Sequence, residues 1–176
     1  MCRIEYNNVI IISGARRNVG KTYLACKLIE YFSQHIPVIG VKVSPHFHTL
    51  SSQYSIIVNN KNFIIVDDCL PSNKDSYLMK KSGALHAYYI QCKSDEFLLE
   101  AFNFIALKHN TELIVVESGG LIKYVNPKKF VFICDENIFL ENKTVYLRYN
   151  PILINSSLLE KNEIIENYFK ISKFVN

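Results

Sequence analysis

Short apolar runs alternate with helical patterns along the chain. Val9–Ser13, Pro37–Val43, Ala87–Gln91, Leu113–Glu117 and Phe130–Cys134 are nearly continuous apolar stretches of strand length. Such runs predict parallel strands buried on both faces. Helical periods fall between them, at about Gly20–Gln34, Ser76–Ser82, Ser94–His109 and Leu158–Phe169. In the third, Ser94 is placed to cap and Asp95 and Glu96 lie at the positive end; Phe97, Leu98, Ala101, Phe102, Ile105 and Ala106 then keep a helical spacing. Ser55–Val58 and Phe63–Val66, joined by Asn59-Asn60-Lys61-Asn62, read as a β-hairpin inserted after the second strand. Val145–Leu147 and Ile152–Ile154 read as extended, with Pro151 at an edge or break. No repeat, low-complexity segment or linker interrupts residues 1–176. The expectation is one α/β domain with a mostly parallel sheet.

Composition narrows this. With 176 residues, 49% of them hydrophobic, the chain has enough apolar side chains for a single core. The net charge of +4 is a mild excess, without a basic tail, and suits an anionic small ligand. Tyrosines and phenylalanines sit at core-like spacings and do not interleave with basic residues, which argues against a nucleic-acid platform. Cys2, Cys26, Cys69, Cys92 and Cys134 are scattered and form no metal-binding spacing, as reduced thiols would be. Met1-Cys2-Arg3-Ile4-Glu5 has no leader pattern, and no apolar run reaches membrane-spanning length, so a cytoplasmic protein is expected.

The chemistry concentrates after the first strand. Ala15-Arg16-Arg17-Asn18-Val19-Gly20-Lys21-Thr22 follows Val9–Ser13 and opens an amphipathic segment, the strand–loop–helix setting of a P-loop. In such a loop, backbone N–H groups wrap phosphate oxygens and the helix start adds its positive end. Lys21 would reach the β- and γ-phosphates, and the Thr22 hydroxyl would ligate Mg2+. The first motif position is Ala15 rather than glycine, with Gly14 one place earlier. A three-layer α/β/α P-loop NTPase that binds a nucleoside triphosphate is the expectation.

A triphosphate site also needs acidic groups for the metal. Glu117 ends a buried strand, where ligands bind in open α/β sheets, and Ser118-Gly119-Gly120 follows it. Asp67, Asp68 and Asp75 compete for the second carboxylate, Asp75 having an N-cap role as its plain alternative. Lys42, at the end of a buried strand, is expected to face phosphate, since an unpaired buried ammonium is costly. His46 and His48 are two apart on an extended segment, too few ligands for a metal site. Asn155 and Asn150-Pro151 are candidates for base contact by position.

Ala15–Thr22, Gly40-Val41-Lys42, His46-Phe47-His48, Lys74-Asp75-Ser76, Ser82-Gly83-Ala84 and Val115-Val116-Glu117-Ser118-Gly119 follow one another over nearly the whole chain. Their order resembles the molybdopterin-guanine dinucleotide biosynthesis protein B family. Asn73, Ser82 and Ser118 depart from that family's glycine, alanine and glycine, and Val43-Ser44-Pro45 widens the gap from Lys42 to the histidines. The chain is similar also to dethiobiotin synthetase, with its strand lysine, helix-leading aspartate and Glu-Gly-rich stretch. The first resemblance implies a GTP-binding accessory protein with slow hydrolysis, dimeric, serving a partner nucleotidyltransferase in molybdenum cofactor biosynthesis; the second implies an ATP-dependent small-molecule enzyme. A P-loop scaffold protein is the alternative to both. The shared class implies nucleotide binding by Ala15–Thr22 with a phosphate cradle at Arg16–Gly20, phosphate contacts from Lys21 and Lys42, and Mg2+ ligation by Thr22, Asp75 and Glu117, with Asp75 preferred over Asp67 and Asp68.

Overall fold

The structure is a computed structural model that describes residues 2–50, 54–68, 70–72, 74–135, 144–161 and 163–174; Cys69 and Asn73, named above, lie outside the described residues. In chain order the elements are β1 (Ile4–Gly14), α1 (Lys21–Ser33), β2 (Val38–Ser44), β3 (Ser55–Asn59), β4 (Phe63–Asp67), α2 (Asp75–Lys81), β5 (His86–Cys92), α3 (Leu98–Lys108), β6 (Leu113–Glu117), β7 (Val125–Cys134), β8 (Ile152–Asn155) and α4 (Glu163–Tyr168). All eight strands lie in one sheet, ordered β3-β4-β5-β2-β6-β1-β7-β8. The six strands from β5 to β8 in that order pair in parallel. β3 and β4 form the antiparallel hairpin, which joins the sheet through β4 on β5.

The apolar runs become central strands because helices cover both of their faces. Val9 and Ile11 pack with Phe102 and Ile105 of α3. Ile10 and Ile12, pointing the other way, pack with Leu24, Leu28 and Ile29 of α1, Met79 of α2 and Ile165 of α4. Each such side chain removed from water contributes about 1.5–3 kcal/mol. Gly40 on β2 lets α2 lie close, since a Cβ there would stand 2.9 Å from Met79 Cβ. Parallel pairing brings the carboxyl ends of β1, β2 and β6 together at one edge, and that edge carries the polar residues discussed below. Among the described residues, no helix is long and apolar enough to cross a membrane.

Three expectations need correction. Val145–Leu147 is not extended: Thr144–Tyr149 forms a 3-10 helix. The i, i+3 spacing of that helix puts Tyr146 and Tyr149 on one side, where both pack on Phe130. The expected helix over Leu158–Phe169 is broken into a 3-10 turn at Ser156–Leu158 and the short α4, because Leu159 is drawn inward against Gly20. Ser94 does not cap α3, which starts after a 3-10 turn at Asp95–Phe97; its hydroxyl donates to Glu96 Oε1 at 2.9 Å. The four described cysteines, Cys2, Cys26, Cys92 and Cys134, are free thiols.

Candidate functional site

The loop between β1 and α1 is fixed at both ends by backbone constraints. Ala15 N–H donates to Ile133 C=O at 2.9 Å, and Gly20 C=O accepts the first helical bond from Leu24 N–H at 3.0 Å. Asn18 (φ 57°) and Gly20 (φ 98°) are left-handed. A chain that alternates handedness in this way curls its N–H groups into an anion-binding concavity. Gly20 is required by its φ, and a Cβ there would also make Leu159 Cδ1 move aside. Val19 is buried beneath the loop. Lys21 Nζ donates to Arg16 C=O at 2.8 Å and so arches over the loop.

Two strands and two helices bring one lysine, two carboxylates and a hydroxyl together. Lys42 and Glu117 are register partners on β2 and β6. Lys42 Nζ lies 2.5 Å from Glu117 Oε1 and 2.6 Å from Asp75 Oδ2, at the first residue of α2. Thr22 Oγ1 donates to Glu117 Oε2 at 2.7 Å. Burial pulls the Lys42 pKa down, but the charge of Glu117 and the hydrogen bonds to Asp75 and Glu117 outweigh it, and the ammonium is held above its ordinary value. Lys42 therefore stays charged at neutral pH.

These groups line a cleft of about 1130 Å³, together with Arg16, Arg17, Lys21 and Lys74. Asp67 and Asp68 are not on it. Asp67 Oδ2 pairs with His86 Nδ1 at 2.7 Å at the amino-terminal end of β5, away from the cleft, and Asp68 is fully buried. Asp75 does not cap α2 either, since the N-cap is Lys74. His46 and His48 reach the cleft from an exposed loop, where His48 Nε2 is 3.4 Å from Ser44 Oγ. Asn155 is outside the cleft and caps its own turn, Oδ1 accepting from Ser157 N–H at 3.0 Å. Asn150, left-handed at φ 52°, is also outside it.

Some site residues were missed from the sequence. Asp135 follows β7 and accepts from Arg16 Nε at 2.5 Å and from Ser156 Oγ, which ties the loop to the ends of β7 and β8. Those hydrogen bonds, from Ser156 and then Arg16, hold its carboxyl below the usual carboxylate value. The rule that singled out Glu117, a carboxylate ending a buried strand, applies equally to Asp135. Tyr89 and Lys74 line the cleft, and Lys74 Nζ is anchored on Tyr54 OH at 2.5 Å. Lys74 belongs to the Lys74-Asp75-Ser76 segment quoted above, which assigns it no role, and no local pattern marks Tyr89.

Thr22, Asp75 and Glu117 offer hard oxygen donors, the kind Mg2+ takes alongside phosphate oxygens and water. Among the described residues, no group of three or more His, Cys, Asp or Glu side chains could hold a metal by itself. Two carboxylates already neutralised in part by Lys42 fit a cation that arrives with its own anionic ligands. No protein-family model, curated protein or solved structure matches the chain.

Proposed function

We propose that the chain is a P-loop protein that binds a nucleoside triphosphate with Mg2+ and hydrolyses it slowly. The observation that carries this reading is the convergence of Thr22, Lys42, Asp75 and Glu117 beside the left-handed Gly20 turn at the start of α1. The loop backbone over Ala15–Gly20 would cradle the phosphates, and Lys21 would exchange the Arg16 carbonyl for a phosphate oxygen. Arg16, held by Asp135, contributes its backbone first. Lys42, charged and braced from two sides, is suited to stabilise negative charge that develops on the terminal phosphate. Thr22, Asp75 and Glu117 would hold Mg2+, which neutralises charge on the β- and γ-oxygens.

The resemblance to the molybdopterin-guanine dinucleotide biosynthesis protein B family makes GTP the first nucleotide to test, and a nucleotidyltransferase the kind of partner to seek. Titration of GTP, ATP and GDP into the protein with and without Mg2+ tests the proposal. Saturable, Mg-strengthened triphosphate binding is expected. Absence of any triphosphate binding overturns it, and a clear preference for ATP shifts the reading toward an ATP-dependent small-molecule enzyme.

A further inference from the structure

Asp68 is fully buried, lies off the cleft, and has no direct part in the proposed site. Its backbone N–H donates to Ala87 C=O at 2.7 Å, which fixes it to β5. Its Oδ2 accepts from Ser76 Oγ at 2.5 Å, while Oδ1 has no hydrogen-bond partner among the described residues. A carboxylate is costly to bury, so its single anchoring bond constrains whatever it joins. Ser76 is the second residue of α2, directly after Asp75.

Just before α2, Lys74 N–H donates to Ser72 Oγ at 3.2 Å and Lys74 Nζ to Tyr54 OH, but the helix itself has no side-chain cap. It spans seven residues, too few to be stable alone. Its buried face consists of Ser76 and Met79; Met79 rests on Gly40 near the middle of the element, and Ser76 is held by Asp68. Those two contacts, together with packing against α1 and β5, bear on the rotation of α2 about its axis. That rotation decides whether the Asp75 carboxylate meets Lys42 Nζ, as it does at 2.6 Å.

We propose that Asp68 is a positioning residue: through the Ser76 hydroxyl it orients the first turn of α2 and so holds Asp75 on Lys42 in the cleft. The inference rests on the nucleotide-binding reading above. It gives the Asp67-Asp68 pair a meaning that direct metal ligation does not, because the buried member acts through a serine rather than on a ligand.

The test is a thermodynamic cycle on the full chain, reading GTP affinity by titration with and without Mg2+. Asp68→Ala and Ser76→Ala should each weaken Mg-dependent binding by about tenfold, one hydrogen bond to a charged group, and leave metal-free binding unchanged. Asp68→Asn keeps an oxygen acceptor for Ser76 and should retain most of the affinity; loss as large as in Asp68→Ala would mean that charge, not position, is what matters. Combined with Asp75→Ala, neither change should weaken binding further. Additive losses, or equal losses with and without Mg2+, overturn the inference while leaving the functional reading intact. Absence of binding in the unaltered chain overturns both. Should Asp68→Ala fail to fold, Ser76→Ala completes the same cycle.

Discussion

Lys42 and Glu117 sit at the same register position on the neighbouring strands β2 and β6, with Nζ 2.5 Å from Oε1. Parallel pairing puts both side chains on one face, so the ion pair follows from register rather than from loop geometry. The two partners are not equivalent. Glu117 is 2% exposed and its carboxylate pairs, among the described residues, with Lys42 and Thr22, whereas Lys42 has Asp75 as well.

Removing the lysine should therefore cost more than removing the carboxylate charge. Lys42→Met leaves a buried carboxylate with a single hydroxyl donor and should destabilise by about 3 kcal/mol. Glu117→Gln leaves Lys42 paired with Asp75 and should cost about 1 kcal/mol. Urea unfolding of the two variants measures the difference. Equal losses would show that Asp75 does not share the charge.

Nucleotide binding should separate the same residues differently. Lys21→Ala removes a charge-assisted phosphate contact and should weaken GTP binding by roughly ten- to a hundredfold, with or without Mg2+. Asp75→Ala should weaken it mainly when Mg2+ is present. Asp75 is not the N-cap of α2, but it pairs with Lys42 and lies in the first turn of the helix, so without ligand this variant should lose about 1 kcal/mol of stability. Melting curves with and without Mg-GTP read both effects; an Asp75→Ala protein that keeps the full Mg-GTP stabilisation removes Asp75 from the site.

Mg2+ alone should give no saturable stabilisation at millimolar concentration. The two carboxylates flank a retained ammonium, and the described residues hold no cluster of three metal-binding side chains. Stabilisation by Mg2+ in the absence of nucleotide would mean that a complete protein site exists, against the donor set argued above.

The central strands were legible because their signal is local. Val9–Ile12 and Leu113–Val116 are apolar on both faces, a pattern that few structures other than a covered parallel strand produce. The strand-end residues Lys42 and Glu117 were legible for the same reason: each interrupts such a run. What stayed hidden depends on partners distant in sequence. The break near Leu159 is set by its contact with Gly20, and the 3-10 turn at Thr144–Tyr149 by the aromatic ring of Phe130. Asp68 showed only as one of two adjacent acids; which is buried and which meets His86 depends on β4 pairing antiparallel with β5.

Gly20 gives a steric test of the loop. Gly20→Ala forces a side chain into φ 98° and into Leu159, and should destabilise by about 1–3 kcal/mol. Leu159→Ala relieves the overlap but not the backbone strain. The double variant should thus be less destabilised than the sum of the single ones, and strict additivity would argue against the Gly20–Leu159 contact.

Stability at alkaline pH should report on Tyr88. Burial, with the charges of Asp67 and Glu112 adding to it, pushes its phenol from 10 up to about 12, and its OH lies 2.9 Å from His109 Nε2. A group whose pKa is raised by folding favours the protonated form in the native state. Its stabilising contribution is complete below pH 10 and is lost as pH rises from 10 toward 12. The buried Cys92 thiol, pushed from 9.0 to about 11 by burial and then by Asp95, acts in the same direction and begins about a unit lower. Tyr88→Phe should cost about 1 kcal/mol at neutral pH, from the lost bond to His109, yet lose less stability than the parent between pH 10 and 12. The loss that remains in this variant should start nearer pH 9, the ordinary value of the thiol, and run toward 11, where folding has pushed Cys92. Melting temperature as a function of pH measures both proteins; parallel curves above pH 10 would show that Tyr88 ionises in the native state as freely as in the unfolded chain.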